Sequence, residues 1–198
     1  MPSSAAAMIA YYLFFAFTHS LLADSRAKQA AKRVFGPAVD KWHRLVYTIL
    51  ALVSILPFFY ILAFMPDTTL YIVPAPWMWV MLAGQAMAAL AVLYALMQTG
   101  LLYFLGLSQL MSNRTEEPGK LVTSGFYCHI RNPLFLFGAI FLWLFPIMTV
   151  NLLAFNILST LYFYLGALHE EKSLREEFGQ EYEDYRRKVP MFFPRIRC

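Results

Sequence analysis

Charged side chains are scarce in this sequence. Only fourteen per cent of its 198 residues are Asp, Glu, Lys or Arg, against sixty per cent apolar ones, a balance unlike that of a soluble globular domain. The scarcity leaves the lipid bilayer as the solvent for most of the chain. Cysteine is scarcer still. Cys128 and Cys198 are too few and too unevenly placed for a disulfide framework, and no Cys/His cluster has zinc-site spacing, so no metal is expected. No repeat, low-complexity tract or second soluble domain stands out. The net charge of +4 could suit a nucleic acid, but the basic residues lie in short stretches beside apolar runs. Membrane topology accounts for them, and no nucleic-acid partner is expected.

About 20 apolar residues in a helix cross a hydrocarbon core of about 30 Å. Such runs occur at residues 5–23, 45–65 and 77–105, the third long enough to tilt or to project beyond the bilayer. The last apolar block, 134–168, is too long for one ordinary span, and Pro146, Thr149 and Asn151 interrupt its middle. It reads as two spans in a tight helical hairpin turning at 149–151. Five transmembrane helices result, and Lys/Arg placement agrees. Six basic residues lie in 24–44, three (Arg114, Lys120, Arg131) precede the hairpin, and seven follow Leu168; the N-terminus, the 66–76 loop and the hairpin turn carry none. All sixteen then share one face, which places the N-terminus outside and the C-terminus in the cytosol. The first run lacks a basic segment before it and is followed by a strongly basic one, so it is expected to stay as a span and not to be cleaved. The expected fold is an all-α integral membrane helical bundle of five spans with a cytosolic C-terminal helical tail. Residues 1–117 form a three-span region, and 118–198 hold the hairpin and tail.

The hairpin's two cytosolic ends bring Arg131 close to Glu170 and Glu171 despite their separation in the sequence. Each has a plain reading. Arg131 can be an interfacial anchor ahead of a helix that begins at Asn132-Pro133. The two acids can be a solvated helix face, Glu171 facing Arg175 at i,i+4. Acids at a membrane boundary are also a site hypothesis.

The ordered set Gly125, Tyr127, Arg131, Pro133, Phe135, a membrane hairpin, Glu170-Glu171, Leu174, Phe178-Gly179, Tyr182, Tyr185 and Val189-Pro190 resembles the isoprenylcysteine carboxyl methyltransferases and bacterial phospholipid N-methyltransferases. The resemblance covers residues 118–196. A nearer likeness is to bacterial methanethiol S-methyltransferases, through His19-Ser20-Leu21-Leu22-Ala23 near Arg26 and Lys28, Leu105-Gly106-Leu107 with Gln109, Pro146-Ile147-Met148-Thr149 and Val189-Pro190-Met191. Two positions depart from the family pattern: Asn132 stands where a histidine is usual, and Phe135 where a tyrosine is. Asn132 keeps a donor and an acceptor but does not titrate near neutral pH, and Phe135 keeps stacking surface without a hydroxyl. His129 either stands in for the missing histidine or is an ordinary interfacial one.

The resemblance implies S-adenosylmethionine as cofactor, bound between the hairpin's end and the tail, with a small-molecule or lipidic methyl acceptor arriving from the membrane. It implies roles for Tyr127, His129, Arg131, Asn132, Pro133, Phe135, Glu170, Glu171, Tyr182 and Tyr185, with Arg131 central to catalysis and a bacterial inner membrane as the location. Arg131 would pair with a carboxylate of cofactor or substrate, and Glu170 or Glu171 with the cofactor's amino group. Tyr182 and Tyr185 either close the adenine pocket or pack the tail on the hairpin. Thiol S-methylation is favoured over carboxyl O-methylation of a prenylcysteine or lipid N-methylation. A contrasting reading is a non-catalytic transporter subunit or scaffold, with Thr18, His19, Ser20, Gln85, Gln98, Asn156, Ser159 and Thr160 lining a path or bonding between helices. Gly84 and Ala88 form a small-xxx-small pair that suits either dimerisation or internal packing.

Overall fold

The computed structural model of the chain describes residues 2–105, 107 and 120–194. Gly106, Gln109, Arg114 and Cys198, named above, lie outside them. In chain order the described elements are α1 (Pro2–Ala23), α2 (Ser25–Phe35), α3 (Val39–Phe64), β1 (Thr69–Ile72), α4 (Ala75–Thr99), α5 (Leu101–Phe104), a 3₁₀ turn (Gly125–Cys128), α6 (Pro133–Trp143), β2 (Ile147–Thr149), α7 (Val150–Phe178) and α8 (Gln180–Lys188). The fold is a helical membrane bundle. Among the described residues, α1, α3, α4 and α7 are long and apolar enough to cross a bilayer, and α6 is a shorter apolar helix. Large apolar side chains such as Phe17, Leu56, Phe59, Trp79 and Leu90 are exposed along these helices, which lipid tails tolerate and water does not.

Two details differ from expectation. The third apolar run does not continue unbroken to 105: α4 ends at Thr99, where Gly100 takes φ +90° before α5 begins. Glycine alone tolerates that backbone cheaply, so the helix stops there. The hairpin turn falls earlier than residues 149–151. Helix α6 ends at Trp143, and residues 147–149 form β2, paired with β1. Helix α7 starts at Val150 because its first turn is capped twice. The Thr149 hydroxyl accepts from Leu152 N at 3.2 Å, and Asp67 Oδ1 accepts from Asn151 N at 3.2 Å. These acceptors satisfy amides that a helix start leaves open, and the Asp67 charge also suits the positive end of the helix dipole.

The chain divides into two compact units. The first comprises residues 1–71, 101–116 and 148–158. Its centre is aromatic: Tyr12, Phe58 and Phe155 meet with ring centroids 5.2–5.8 Å apart, beside the fully buried Met8. The Tyr11 hydroxyl donates to Ser54 O at 2.8 Å and ties α1 to α3.

The second unit comprises residues 72–100, 117–147 and 159–198. Here α4 packs on α6. A side chain at Gly84 would meet Leu144 Cδ1 at 3.1 Å, Ala88 is buried, and Gln85 Nε2 donates to Phe141 O at 3.1 Å. The small residue at 84 therefore serves close packing within the chain. Helices α6 and α7 meet antiparallel. Gly138 sits under Phe163, Gly166 sits under Phe135, and Trp143 Nε1 donates to Thr160 Oγ1 at 2.9 Å.

Candidate functional site

Every residue predicted for the site falls in the second unit. Asn132 precedes α6 and Pro133 opens it, where a missing N–H costs nothing. The backbone just ahead is tied to the tail: Arg131 N donates to Pro190 O at 3.0 Å and Asn132 N to Met191 O at 3.3 Å. The tail can turn back because Gly179, at φ +53°, separates α7 from α8 in a conformation that favours glycine. Tyr182, Tyr185 and Val189 then form a buried cluster with Leu121, Leu174 and Phe178 packed around it.

Arg131, Asn132 and Glu171 meet at the base of the hairpin. Arg131 Nη2 lies 2.8 Å from Glu171 Oε1, and Asn132 Nδ2 donates to the same oxygen at 3.1 Å. The Arg131 and Glu171 side chains are only 9% and 7% exposed, so this is a buried, hydrogen-bonded ion pair. Arg131 Nη1 also donates to Arg186 O at 3.4 Å, and Arg186 Nε stands 4.0 Å from Glu171 Oε2. Two donors beside the pair are buried without a hydrogen-bond partner among the described residues: Arg131 Nε and the Tyr182 hydroxyl. Burial, reinforced by the Glu171 charge, pushes the Tyr182 phenol up to about 12. It therefore keeps its proton at neutral pH and is a donor.

The other predicted residues divide. The Tyr185 hydroxyl donates to Tyr127 O at 2.6 Å, so this tyrosine packs the tail onto the 3₁₀ turn. Burial raises both the Tyr127 and Tyr185 phenols. Glu170 takes no part in the pairs that hold Arg131 and Asn132, and its charge acts on both Tyr127 and Tyr182. Successive helical residues point about 100° apart, so one hairpin end cannot aim both acids at one arginine. Phe135 lies within α6, its ring 5.9 Å from that of Phe163 and against Gly166, as a helix-packing residue. His129 closes the 3₁₀ turn by donating its N–H to Phe126 O at 3.0 Å and is half-buried.

Gln98 has a role that its sequence context hides. From the end of α4, its Nε2 donates to Ser124 O at 3.1 Å while its Oε1 accepts from Phe126 N at 3.2 Å. One amide thus pairs with the backbone on both sides of Gly125, which has φ +61° and whose added Cβ would lie 1.7 Å from Gln98 Nε2. Phe126 wedges between the helices, 5.0 Å from both Tyr94 and Phe137. A glycine directly before an aromatic pair was the available signal; the glutamine at a helix end was not legible as its partner.

The two tail tyrosines are expected to respond differently to loss of the hydroxyl. Tyr185→Phe strands a buried carbonyl and should cost about 1–3 kcal/mol of stability. Tyr182→Phe removes a hydroxyl with no partner among the described residues, so stability should hold or rise while ligand affinity falls. Thermal midpoints in detergent, with and without ligand, separate the two outcomes.

No family model matches the chain, and no solved structure matches it. Curated proteins do. The chain is 42% identical over 79 residues to a methanethiol S-methyltransferase of Crocosphaera subtropica, covering 40% of this chain and 31% of that protein. It is 32% identical over 97 residues to a protein-S-isoprenylcysteine O-methyltransferase of Schizosaccharomyces pombe, covering 45% and 39%. A match of the Crocosphaera kind spans about a third of the relative's length. A longer match joins the chain to a methanethiol S-methyltransferase of Mycobacterium tuberculosis, 30% identical over 192 residues, 91% of this chain and 74% of that protein. With that match covering 91% of this chain and 74% of the relative, the chain belongs to the isoprenylcysteine carboxyl methyltransferase-like family of membrane methyltransferases.

Proposed function

We propose that this chain is an S-adenosylmethionine-dependent membrane methyltransferase whose acceptor is a small thiol. The observation that carries the reading is the pair of buried donors, Arg131 Nε and the Tyr182 hydroxyl, that find no partner among the described residues beside the Glu171 carboxylate. Buried donors call for acceptors. A free amino acid end offers a carboxylate for the two donors and an ammonium for Glu171, and S-adenosylmethionine has such an end. These residues fit that group, with Asn132 holding Glu171 in place and the tail closing the site from one side. When bound, S-adenosylmethionine supplies a methyl group on a positively charged sulfur. The chain's own contribution is to bind, to orient and to exclude water.

The thiol is favoured by the names of the relatives, most of which are methanethiol S-methyltransferases. A thiol with a reference pKa of about 8.5 must lose its proton before or during transfer. The tyrosines, held neutral by burial, do not take it up, so a thiol acidified on binding would give its proton to water before transfer. Saturable binding of labelled S-adenosylmethionine by the purified full chain tests the reading. A folded protein that binds none is a scaffold or transporter subunit instead.

The same reading puts five helical crossings in a bacterial inner membrane, with the chemistry in residues 118–198. Helix α6, with 11 residues, is roughly 16 Å long, too short for a core of about 30 Å. Residues 144–149 in extended form would add roughly 20 Å. Backbone bonds such as Leu144 N to Ile140 O and Val73 N to Pro146 O lower the cost of that stretch at membrane depth. Reporters fused to each end are expected to place the N-terminus outside and the C-terminus in the cytosol; either one on the opposite side rejects five crossings.

A further inference from the structure

Residues 24–44 hold six Lys/Arg and two Asp, and across the rest of the chain ten Lys/Arg face ten Asp/Glu. The whole net charge of +4 therefore resides in this one short stretch. Its structure is specific. Helix α2 is joined to α1 by Asp24 alone and to α3 by residues 36–38, where Gly36 at φ +77° ends the helix. Both neighbours are candidate spans, so α2 is tethered at both ends beside segments that are long and apolar enough to cross a bilayer. At about 100° per residue, Lys28, Gln29, Lys32 and Arg33 share one face, while Ala27, Ala30, Ala31 and Val34 share the other with Phe35 at its edge. Val34 and Phe35 are each 75% exposed, and Trp42, at the start of α3, is 54% exposed. The Val34 and Phe35 end of the apolar face is thus uncovered by protein, as are the apolar residues that an interfacial helix buries in acyl chains.

We propose that α2 and the first turn of α3 form a binding surface for anionic phospholipid headgroups, with Val34, Phe35 and Trp42 seated in the acyl boundary and the cations at the phosphates. Topology alone asks only for positive charge on one side and does not ask for a helix that separates cations from apolar residues. Clusters of Lys/Arg on an amphipathic helix recognise anionic lipid. The structure also supplies an internal competitor. Asp40 lies 3.6 Å from Lys28 Nζ and 2.5 Å from Lys32 Nζ, in pairs that are open to solvent. Arg33, also exposed, has no such bridge among the described residues. Lipid phosphate and Asp40 therefore contend for the same two lysines, while Arg33 is committed to neither.

Two substitutions should move lipid preference in opposite directions. Native mass spectrometry of the purified full chain would compare retention of phosphatidylglycerol and phosphatidylcholine with matched acyl chains. Wild type is expected to retain phosphatidylglycerol preferentially, and less so as salt rises. Arg33→Gln is expected to lower the preference roughly fivefold, the effect of one cation near an anionic surface. Asp40→Asn is expected to raise it, by freeing Lys28 and Lys32. Both side chains are solvent-facing, and a thermal midpoint confirms folding; should Arg33→Gln misfold, the rise with Asp40→Asn remains decisive. Equal retention of the two lipids overturns the proposal. So does a preference that neither substitution changes, or one abolished by inorganic phosphate, which would mark the surface as a site for free anions or acidic protein.

Discussion

Arg131→Lys is expected to insert and fold as wild type does while losing at least about tenfold in methyl transfer, about 1.4 kcal/mol of transition-state stabilisation. As an interfacial anchor, lysine serves as well as arginine. The structure uses more of the side chain than its charge. Nη2 goes to Glu171, Nη1 reaches Arg186 O, and Nε remains a buried donor without a partner among the described residues. A lysine ammonium can keep the Glu171 contact, which preserves the fold, but it cannot place donors on three sides of a planar group. Membrane-inserted yield and activity toward a thiol, measured on the same preparation, decide the point. Full activity in a normally inserted variant makes Arg131 an anchor and removes it from the site.

Glu171→Gln should be the most damaging single substitution in the tail, with stability falling by about 3–5 kcal/mol, because it leaves the Arg131 charge buried without its counter-charge. Glu176→Gln and Glu177→Gln, on the exposed part of α7, should change stability by less than about 0.5 kcal/mol. Glu170→Gln should resemble these in stability, since Glu170 has no part in the Arg131 pairing; any loss it causes should appear in ligand affinity. The double variant Arg131→Met with Glu171→Leu separates the two roles of the pair. Removing both charges together should restore much of the thermal midpoint and none of the ligand binding. Recovery of binding along with stability would mean that the pair is structural only.

The sequence made the helical bundle legible through its long apolar runs, which depend on composition more than on local geometry. Two breaks escaped it because each is set by one residue's surroundings. Gly100 reads as one more small residue in an apolar run until its positive φ is seen. The start of α7 is fixed partly by Asp67, which comes from a loop 84 positions away. The convergence of Arg131 with the acidic pair followed from the hairpin, but the pairing did not. The sequence offers Arg131 and either Glu170 or Glu171 to a ligand without ranking the two acids; in the structure Glu171 is the one that pairs with Arg131, and the Glu170 charge acts on Tyr127 and Tyr182. Tyr182 and Tyr185 were indistinguishable as letters three apart. Only their hydroxyls tell them apart, one bonded to Tyr127 O and the other left without a partner among the described residues. Gln98 reads equally as a residue lining a path or bonding between helices, and its actual partners are backbone atoms, which carry no sequence signature.

The backbone bonds from Arg131 and Asn132 to Pro190 and Met191 set an order of events during synthesis. The hairpin can enter the membrane while the ribosome is still adding the tail, yet the segment that holds the arginine gains its backbone partners only after residue 191 has emerged. Until then the segment between turn and helix has its side-chain contacts to Glu171 but not its backbone bonds to the tail. A chain arrested before Val189 would keep its apolar helices and still lack the bonds that tie Arg131 and Asn132 to the tail, so this part of the fold is completed last.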